Sequence, residues 1–300
     1  MGRRVAIIGV FDGVHRGHQA VIAQARALAG DGTVIALTFD PHPLQILAPD
    51  TAPLMLSSID DRVEQLLEAG VDETQIIAFT PELSLQSPRQ FILESVVERA
   101  QADVVVVGEN FRFGRHASGD IQTLRDLGKE FGFDVQPVEL RGDGGRYSST
   151  RARTALAEAD LLHFVEVLGR PFTYRGTVVH GDRRGRTLGV PTANVEVSAQ
   201  RAVAADGVYA GWVRVLEGHC PSMPAAISVG SNPHYGGVER RIEAHVIDRD
   251  DLDLYDRAIE VGFTRRLRDQ QVFDSEADFI AQMQADIAAA RAVAGVPESS

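Results

Sequence analysis

The chain's 300 residues exceed the usual size of one domain and its 44% apolar content is that of a globular protein, so two domains with separate cores are expected. A formal net charge of -12 argues against a general nucleic-acid or anionic-membrane surface, and no run approaches the roughly 20 apolar residues that span a bilayer. The lone Cys220 excludes an internal disulfide and fits a reducing, cytoplasmic setting; composition sets no oligomeric state, and with Lys129 the only lysine, an anionic substrate has to be held locally by other groups.

In the first half, short apolar runs at Val5–Val10, Thr33–Phe39, Gln75–Phe79 and Val104–Val107 read as strands. Stretches of helical period lie between or after them, at Gly17–Ala29, Ser58–Ala69, Pro88–Arg99 and Ile121–Phe131. The start, Met1-Gly2-Arg3-Arg4, has the charge of a secretion signal, but Asp12 cuts the apolar run that follows, and this run is read as a buried strand. The alternation predicts a Rossmann-like α/β domain with a parallel sheet and helices on both faces, whose ligands sit beyond the carboxyl ends of the strands.

The first such end reads Gly9-Val10-Phe11-Asp12-Gly13-Val14-His15-Arg16-Gly17-His18. Two histidines three apart at a helix start share one face, beside backbone N–H groups the helix leaves unpaired. The positive helix end and two imidazole donors suit a polyphosphate, with Gly9, Asp12 and Gly17 counted in the same phosphate-binding segment. It is not a Walker A loop, which needs Gly-Lys-Ser/Thr. Later strands end in Asp40-Pro41-His42-Pro43 and in Gly108-Glu109-Asn110-Phe111-Arg112-Phe113-Gly114, and Ser148-Ser149-Thr150-Arg151-Ala152-Arg153 follows. By residue type alone, Asp40–Pro43 is a rigid turn, Ser149-Thr150 a helix cap, and Phe113 either core or a surface for stacking.

From about Gly169 the pattern changes. Thr173–Val179, Thr192–Val197, Gly207–Val215, Ala225–Val229 and Ile242–Val246 are strand-like and separated by Gly, Pro, Asn and Asp clusters, which predicts an antiparallel barrel or sandwich over 169–300 after a first domain over 1–168. A terminal helix is expected over Ser275–Ala294, with Asp278 three residues after Ser275. A glycine-bearing loop with Gly181, Gly185 and Gly189 leads into Val190-Pro191-Thr192-Ala193-Asn194, where the period of two puts Thr192 and Asn194 on one strand face. Neutral oxygens at that spacing suit part of an octahedral Mg²⁺ shell. In Arg241–Ile247, Glu243 lies opposite the apolar face, as a solvated strand glutamate or a base would.

Taken together, these motifs resemble the bifunctional bacterial riboflavin kinase/FAD synthetases, whose N-terminal module belongs to the HxGH nucleotidyltransferases, and the resemblance runs through nearly the whole chain. It implies phosphorylation of riboflavin by ATP in the C-terminal module and adenylylation of the FMN by ATP, giving FAD and pyrophosphate, in the N-terminal one. The resemblance assigns His15 and His18 to the ATP phosphates, Asn110 to the reacting phosphates, and Ser149, Thr150 and Arg153 to the pyrophosphate. It also implies nucleotide contacts at Gly181 and Gly185, Mg²⁺ ligation by Thr192 and Asn194, proton abstraction by Glu243, and flavin contacts at Phe113 and at Arg268 in a flap over Phe263–Phe273. Small molecules are the only partners implied.

Val190 stands where the family commonly has phenylalanine, His234-Tyr235 replaces Thr/Ser-Phe, and Gln270 occupies an often acidic position, so pocket shape and flap closure are the properties these departures touch. Two other readings compete: a kinase with a weak or silent nucleotidyltransferase module, and a non-catalytic flavin-binding regulator. The regulator is expected to have lost Glu243, Thr192, Asn194 or the histidines, and all are present.

Overall fold

The computed structural model describes residues 2–142, 145–180, 190–218, 220–232, 239–249, 251–293 and 295–296. They form two compact units, Met1–Ser149 and Thr150–Ser300.

In the first unit β1 (Arg4–Ile8), α1 (Arg16–Ala29), β2 (Thr33–Asp40), the short α2 (Pro43–Leu47), α3 (Ile59–Glu68), β3 (Glu73–Ala78), the short α4 (Pro81–Ser84) and α5 (Pro88–Ile92) follow in order. After α5 the chain continues through a π-helical stretch to Ala100, then β4 (Val104–Gly108), α6 (Ile121–Phe131), β5 (Asp134–Val138) and the small hairpin β6 (Arg141–Gly142) and β7 (Gly145–Arg146). The five-stranded sheet has the order β3-β2-β1-β4-β5 and is parallel throughout.

Strand alternation divides its core in two. Ala6, Ile8, Ile35, Leu37, Val105 and Val107 face α5, the π-helical stretch and α6 through Phe91, Ile92, Val96, Leu124 and Leu127. Val5, Ile7, Val34, Ala36, Val104 and Val106 face α1 and α3 through Val21, Ile22, Ala25 and Leu66. Burial on both faces is why these strands are continuous apolar runs, each fully buried side chain contributing about 1.5–3 kcal/mol. β5 went unread in the sequence because it carries Pro137, a residue tolerated only because the strand is an edge. The chain order reverses between β1 and β4, so the segments after these strands flank the crevice where such sheets bind ligands.

Next come α7 (Ser149–Ala157), which starts where Ser149-Thr150 read as a helix cap, and α8 (Leu161–Leu168), which was not read as an element from the sequence. They pack with the strands that follow: the Ala205 N–H donates to the Leu156 carbonyl at 2.9 Å, and Phe164 meets Phe172 edge-on at 5.4 Å. Gly169, at φ 79°, ends α8 in the left-handed region that glycine adopts without strain. Next come β8 (Phe172–Val179), β9 (Ala193–Val195), β10 (Gly207–Val215), β11 (Met223–Asn232), β12 (Glu239–Val246), β13 (Ala258–Arg268) and α9 (Glu276–Val293). The strands close into an antiparallel barrel, β10-β11-β12-β9-β8-β13, which decides between barrel and sandwich. Its interior holds Val195, Ile227, Val229, Ile242, Ala244, Ile259, Val261 and Phe263.

β13 corrects the expectation for Phe263–Phe273. Residues through Arg268 pair with β10 rather than forming a free flap, with register shifts at Val208/Tyr209 and Ala210/Gly211. Ile259, Val261 and Phe263 alternate as a strand should, but the cluster Arg265-Arg266-Leu267-Arg268 at its end reads as a charged connection. α9 lies against Ala210, Ala226 and Leu267, and Ser275 Oγ accepts from the Asp278 N–H at 3.1 Å at its start.

Candidate active sites

Beyond β1 the chain turns through an unusual backbone. Phe11 and Val14 have φ of 53° and 38°, and a β-branched residue in that region is strained, as residues at functional sites often are. Asp12 is 2% exposed, and its carboxylate accepts from the Leu56 N–H at 2.9 Å and the Ser57 N–H at 3.2 Å. A carboxylate buried against amides of a neighbouring segment braces the turn. The Gly9 position lies against the Phe11 ring, where a Cβ would come within 3.2 Å.

His15 is the N-cap of α1, and its Nδ1 accepts from the His18 N–H at 3.4 Å. That bond places the proton of neutral His15 on Nε2, leaving Nε2–H as a donor. The His15 and His18 rings stack with centroids 3.6 Å apart and 18° between planes. A Cβ on Gly17 would lie 3.0 Å from His15 Cε1, so glycine there lets the ring lie close to its own helix. His18 is held uncharged well below the ordinary histidine range, first by burial, then by His15 and Arg62. Its Nδ1 is buried with no hydrogen-bond partner among the described residues.

Arg62, on α3, was not singled out from the sequence. It is 1% exposed and donates from Nη1 to the Phe39 carbonyl at 2.8 Å and to Thr38 Oγ1 at 3.4 Å. Burial lowers its pKa while Asp12 and Asp40 act against the shift, and it remains a cation. The legible signal was its place on the helix: Arg62 stands four residues before Leu66, on the face that packs against the sheet.

Ser149 Oγ donates to the Asp12 carbonyl at 2.9 Å, joining the turn after β1 to a residue 137 positions later. Thr150 and Arg153 follow on α7 in the second unit. Asn110 is exposed in the turn after β4, next to Glu109, which pairs with Arg146 at 2.8 Å, another arginine that sequence reasoning passed over. Phe113 is buried in the core, stacked on Phe111 with centroids 5.3 Å apart. Its surroundings are those of a core side chain.

On the barrel, alternation places Asn194 and Glu243 on the outer face, and they are paired positions of β9 and β12. Ser228 of β11 pairs with Glu243 on its other side, giving a row of polar residues across three strands. Thr192 precedes β9 by one residue, and Pro191 is held by His245, whose Nδ1 lies 2.8 Å from its carbonyl. Among the described residues no group of three His, Cys, Asp or Glu could hold a metal. Hydroxyl and amide oxygens at Thr192 and Asn194 are nonetheless the hard donors Mg²⁺ accepts beside water and phosphate. Gln270 Nε2 donates to Ser228 Oγ at 3.0 Å and to the Val229 carbonyl at 2.9 Å, a bond to carbonyl that a carboxylate could not donate. Val190 is buried, at 9% exposure. Gly181, Gly185, His234 and Tyr235 lie outside the described residues.

Arg268 has partners within the protein. Its guanidinium is bound by Asp286 of α9, with Nη2 at 2.6 Å and Nε at 3.0 Å, and Nη1 donates to the Asp269 carbonyl at 2.8 Å.

Fold and sites define a nucleotidyltransferase of the two-histidine helix-terminus type followed by a barrel kinase. Family models for FAD synthetase and riboflavin kinase match residues 2–151 and 168–294. Bifunctional riboflavin kinase/FMN adenylyltransferases are 36% identical in Escherichia coli K12 and 39% in Pseudomonas fluorescens, each match covering 97% of this chain and 93% of the relative. The chain belongs to the family of bifunctional riboflavin kinase/FMN adenylyltransferases, and carries both of its activities. A crystal structure described as a macrolide-efflux protein from Streptococcus pneumoniae matches 97% of the chain and 94% of its own at TM-score 0.85 and 29% identity. No described helix here is long and apolar enough to cross a membrane.

Proposed function

We propose the following division of labour for the two reactions. In adenylyl transfer, the stacked His15–His18 pair at the start of α1 receives the ATP polyphosphate, His15 donating from Nε2 and the N–H groups of the helix end adding their partial charge. This pair is the observation that carries the assignment. FMN phosphate attacks the α-phosphorus in line and pyrophosphate leaves, so the protein has to align and neutralise rather than supply a nucleophile. Asn110 places the reacting phosphates, while Ser149, Thr150 and Arg153 hold the departing pyrophosphate, the arginine by its planar fork.

In the kinase reaction, Glu243 takes the proton of riboflavin's terminal hydroxyl as it attacks the γ-phosphorus of ATP. Thr192 and Asn194 are the candidates to hold Mg²⁺, which when bound would neutralise the transferring phosphoryl group. Gly181 and Gly185 are assigned to the nucleotide. The functional boundary is placed at 168/169, between the end of α8 and the first barrel strand. Location in the cytoplasm and small-molecule partners alone, with neither nucleic acid nor membrane, complete the reading.

The direct test is incubation of the purified chain with riboflavin, ATP and Mg²⁺ and chromatographic separation of the flavins. FMN followed by FAD is expected. His18→Asn should stop the sequence at FMN, and Glu243→Gln should stop it before FMN while FAD still forms from supplied FMN.

A further inference from the structure

We propose that Arg62 is a positioning residue for adenylyl transfer: a buried guanidinium that clamps the carboxyl end of β2 and, through it, the strained turn carrying the histidine pair. The inference rests on the assignment of His15 and His18 to the polyphosphate.

The clamp is a chain of hydrogen bonds. Arg62 Nη1 donates to the Phe39 carbonyl and to Thr38 Oγ1, and Thr38 Oγ1 donates to the Val10 carbonyl at 3.0 Å. Val10 immediately precedes Phe11, the first residue of the turn with positive φ. Asp12, two residues on, ties the same turn to Leu56 and Ser57 just before α3, the helix that carries Arg62. One helix thus holds the turn at both ends, by Arg62 from its first turn and by the amides that precede it.

Arg62 is expensive to bury for a purely structural role. Its Nε is buried without a hydrogen-bond partner among the described residues, and desolvation outweighs the favourable charges of Asp12 and Asp40. An apolar side chain would fill that space without stranding a charge. The positive charge does act on the site, because it disfavours protonation of His18. The other charged or titratable group that acts on His18 is His15 at the start of its own helix, while Asp12 in the turn and Asp40 at the end of β2 act on Arg62. Of these, His15 opposes protonation with Arg62, and the carboxylate of Asp12 is already taken up by backbone amides.

The test uses the full chain, whose kinase reaction serves as an internal control. Arg62→Met is expected to lower kcat for FAD formation from supplied FMN by about tenfold or more with a smaller change in KM for ATP, since geometry rather than ground-state binding is lost. Loss of the nearby cation also raises the pKa of His18, so the acid limb of the pH–rate profile moves to higher pH. Arg62→Lys keeps the charge and should leave the acid limb in place while recovering only part of kcat. NMR titration of His18 in the three proteins reads the same shift without turnover and serves if Arg62→Met folds poorly. An unmoved acid limb and an unmoved His18 titration in both variants, or equal loss of kinase and adenylyl transfer, overturns the proposal. His18→Asn tests the underlying assignment separately: if it forms FAD at the normal rate, the histidine reading fails, whatever Arg62 does.

Discussion

Asn194 on β9 and Glu243 on β12 are directly paired across two antiparallel strands on the outer face of the barrel. Side chains at such positions have Cβ atoms about 5 Å apart, so the proposed metal ligand and the proposed base can act together without either strand moving. Glu243→Gln keeps the shape and removes the proposed base. Riboflavin phosphorylation is expected to fall about 10²- to 10⁴-fold with adenylylation of supplied FMN unchanged. A loss under about fivefold, measured by flavin chromatography, would remove Glu243 from the proton transfer.

His15 has two tasks that mutation can separate. As N-cap it accepts from the His18 N–H, and in the proposed reaction it donates to the phosphates. His15→Ala removes both and should destabilise the first unit by about 1 kcal/mol. His15→Asn can still cap, so stability should return while FAD formation stays low. Denaturant melts together with FMN turnover check the pair; equal activity in the Asn variant and the native chain would reduce His15 to a cap.

The fold was legible wherever a segment's burial pattern was simple. Val104–Val107 is apolar because both faces are covered, and Gly207–Val215 is bounded by turn residues, so both were readable. β5 was hidden by Pro137 and polar edge positions, and β13 by the arginines at its exposed end. The histidine pair was legible because two imidazoles, two glycines and a strand-to-helix step coincide within ten residues. Arg62 was not, since the charge on its helix face reads as solvated until the fold shows it buried. The ion pair of Arg268 was hidden too: its partner Asp286 is 18 residues away on the last helix, and no spacing rule links them.

His18 predicts a pH dependence of stability in the first unit. Its native pKa lies well below the ordinary 6.5, chiefly because of burial. As pH falls below about 6.5, the unfolded chain therefore binds a proton that the native chain refuses, and stability declines until native His18 itself protonates. Above that value the contribution is flat. Calorimetry across this range should show the decline in the native chain and a shallower one in His18→Gln. Identical slopes would place the acid sensitivity elsewhere.

Arg268 and Asp286 give a case in which structural and substrate roles make opposite predictions. The side chains are 17% and 10% exposed, and the pair joins the end of β13 to α9. Asp286→Ala leaves a mostly buried guanidinium without its anion and should cost the second unit about 3 kcal/mol. Replacing both partners with apolar residues, Arg268→Met with Asp286→Leu, removes the stranded charge and should recover most of that stability. If the arginine's work is to anchor α9, the double variant also recovers riboflavin phosphorylation. A double variant as stable as the native chain yet unable to phosphorylate riboflavin would return Arg268 to the substrate contact that the family resemblance implies.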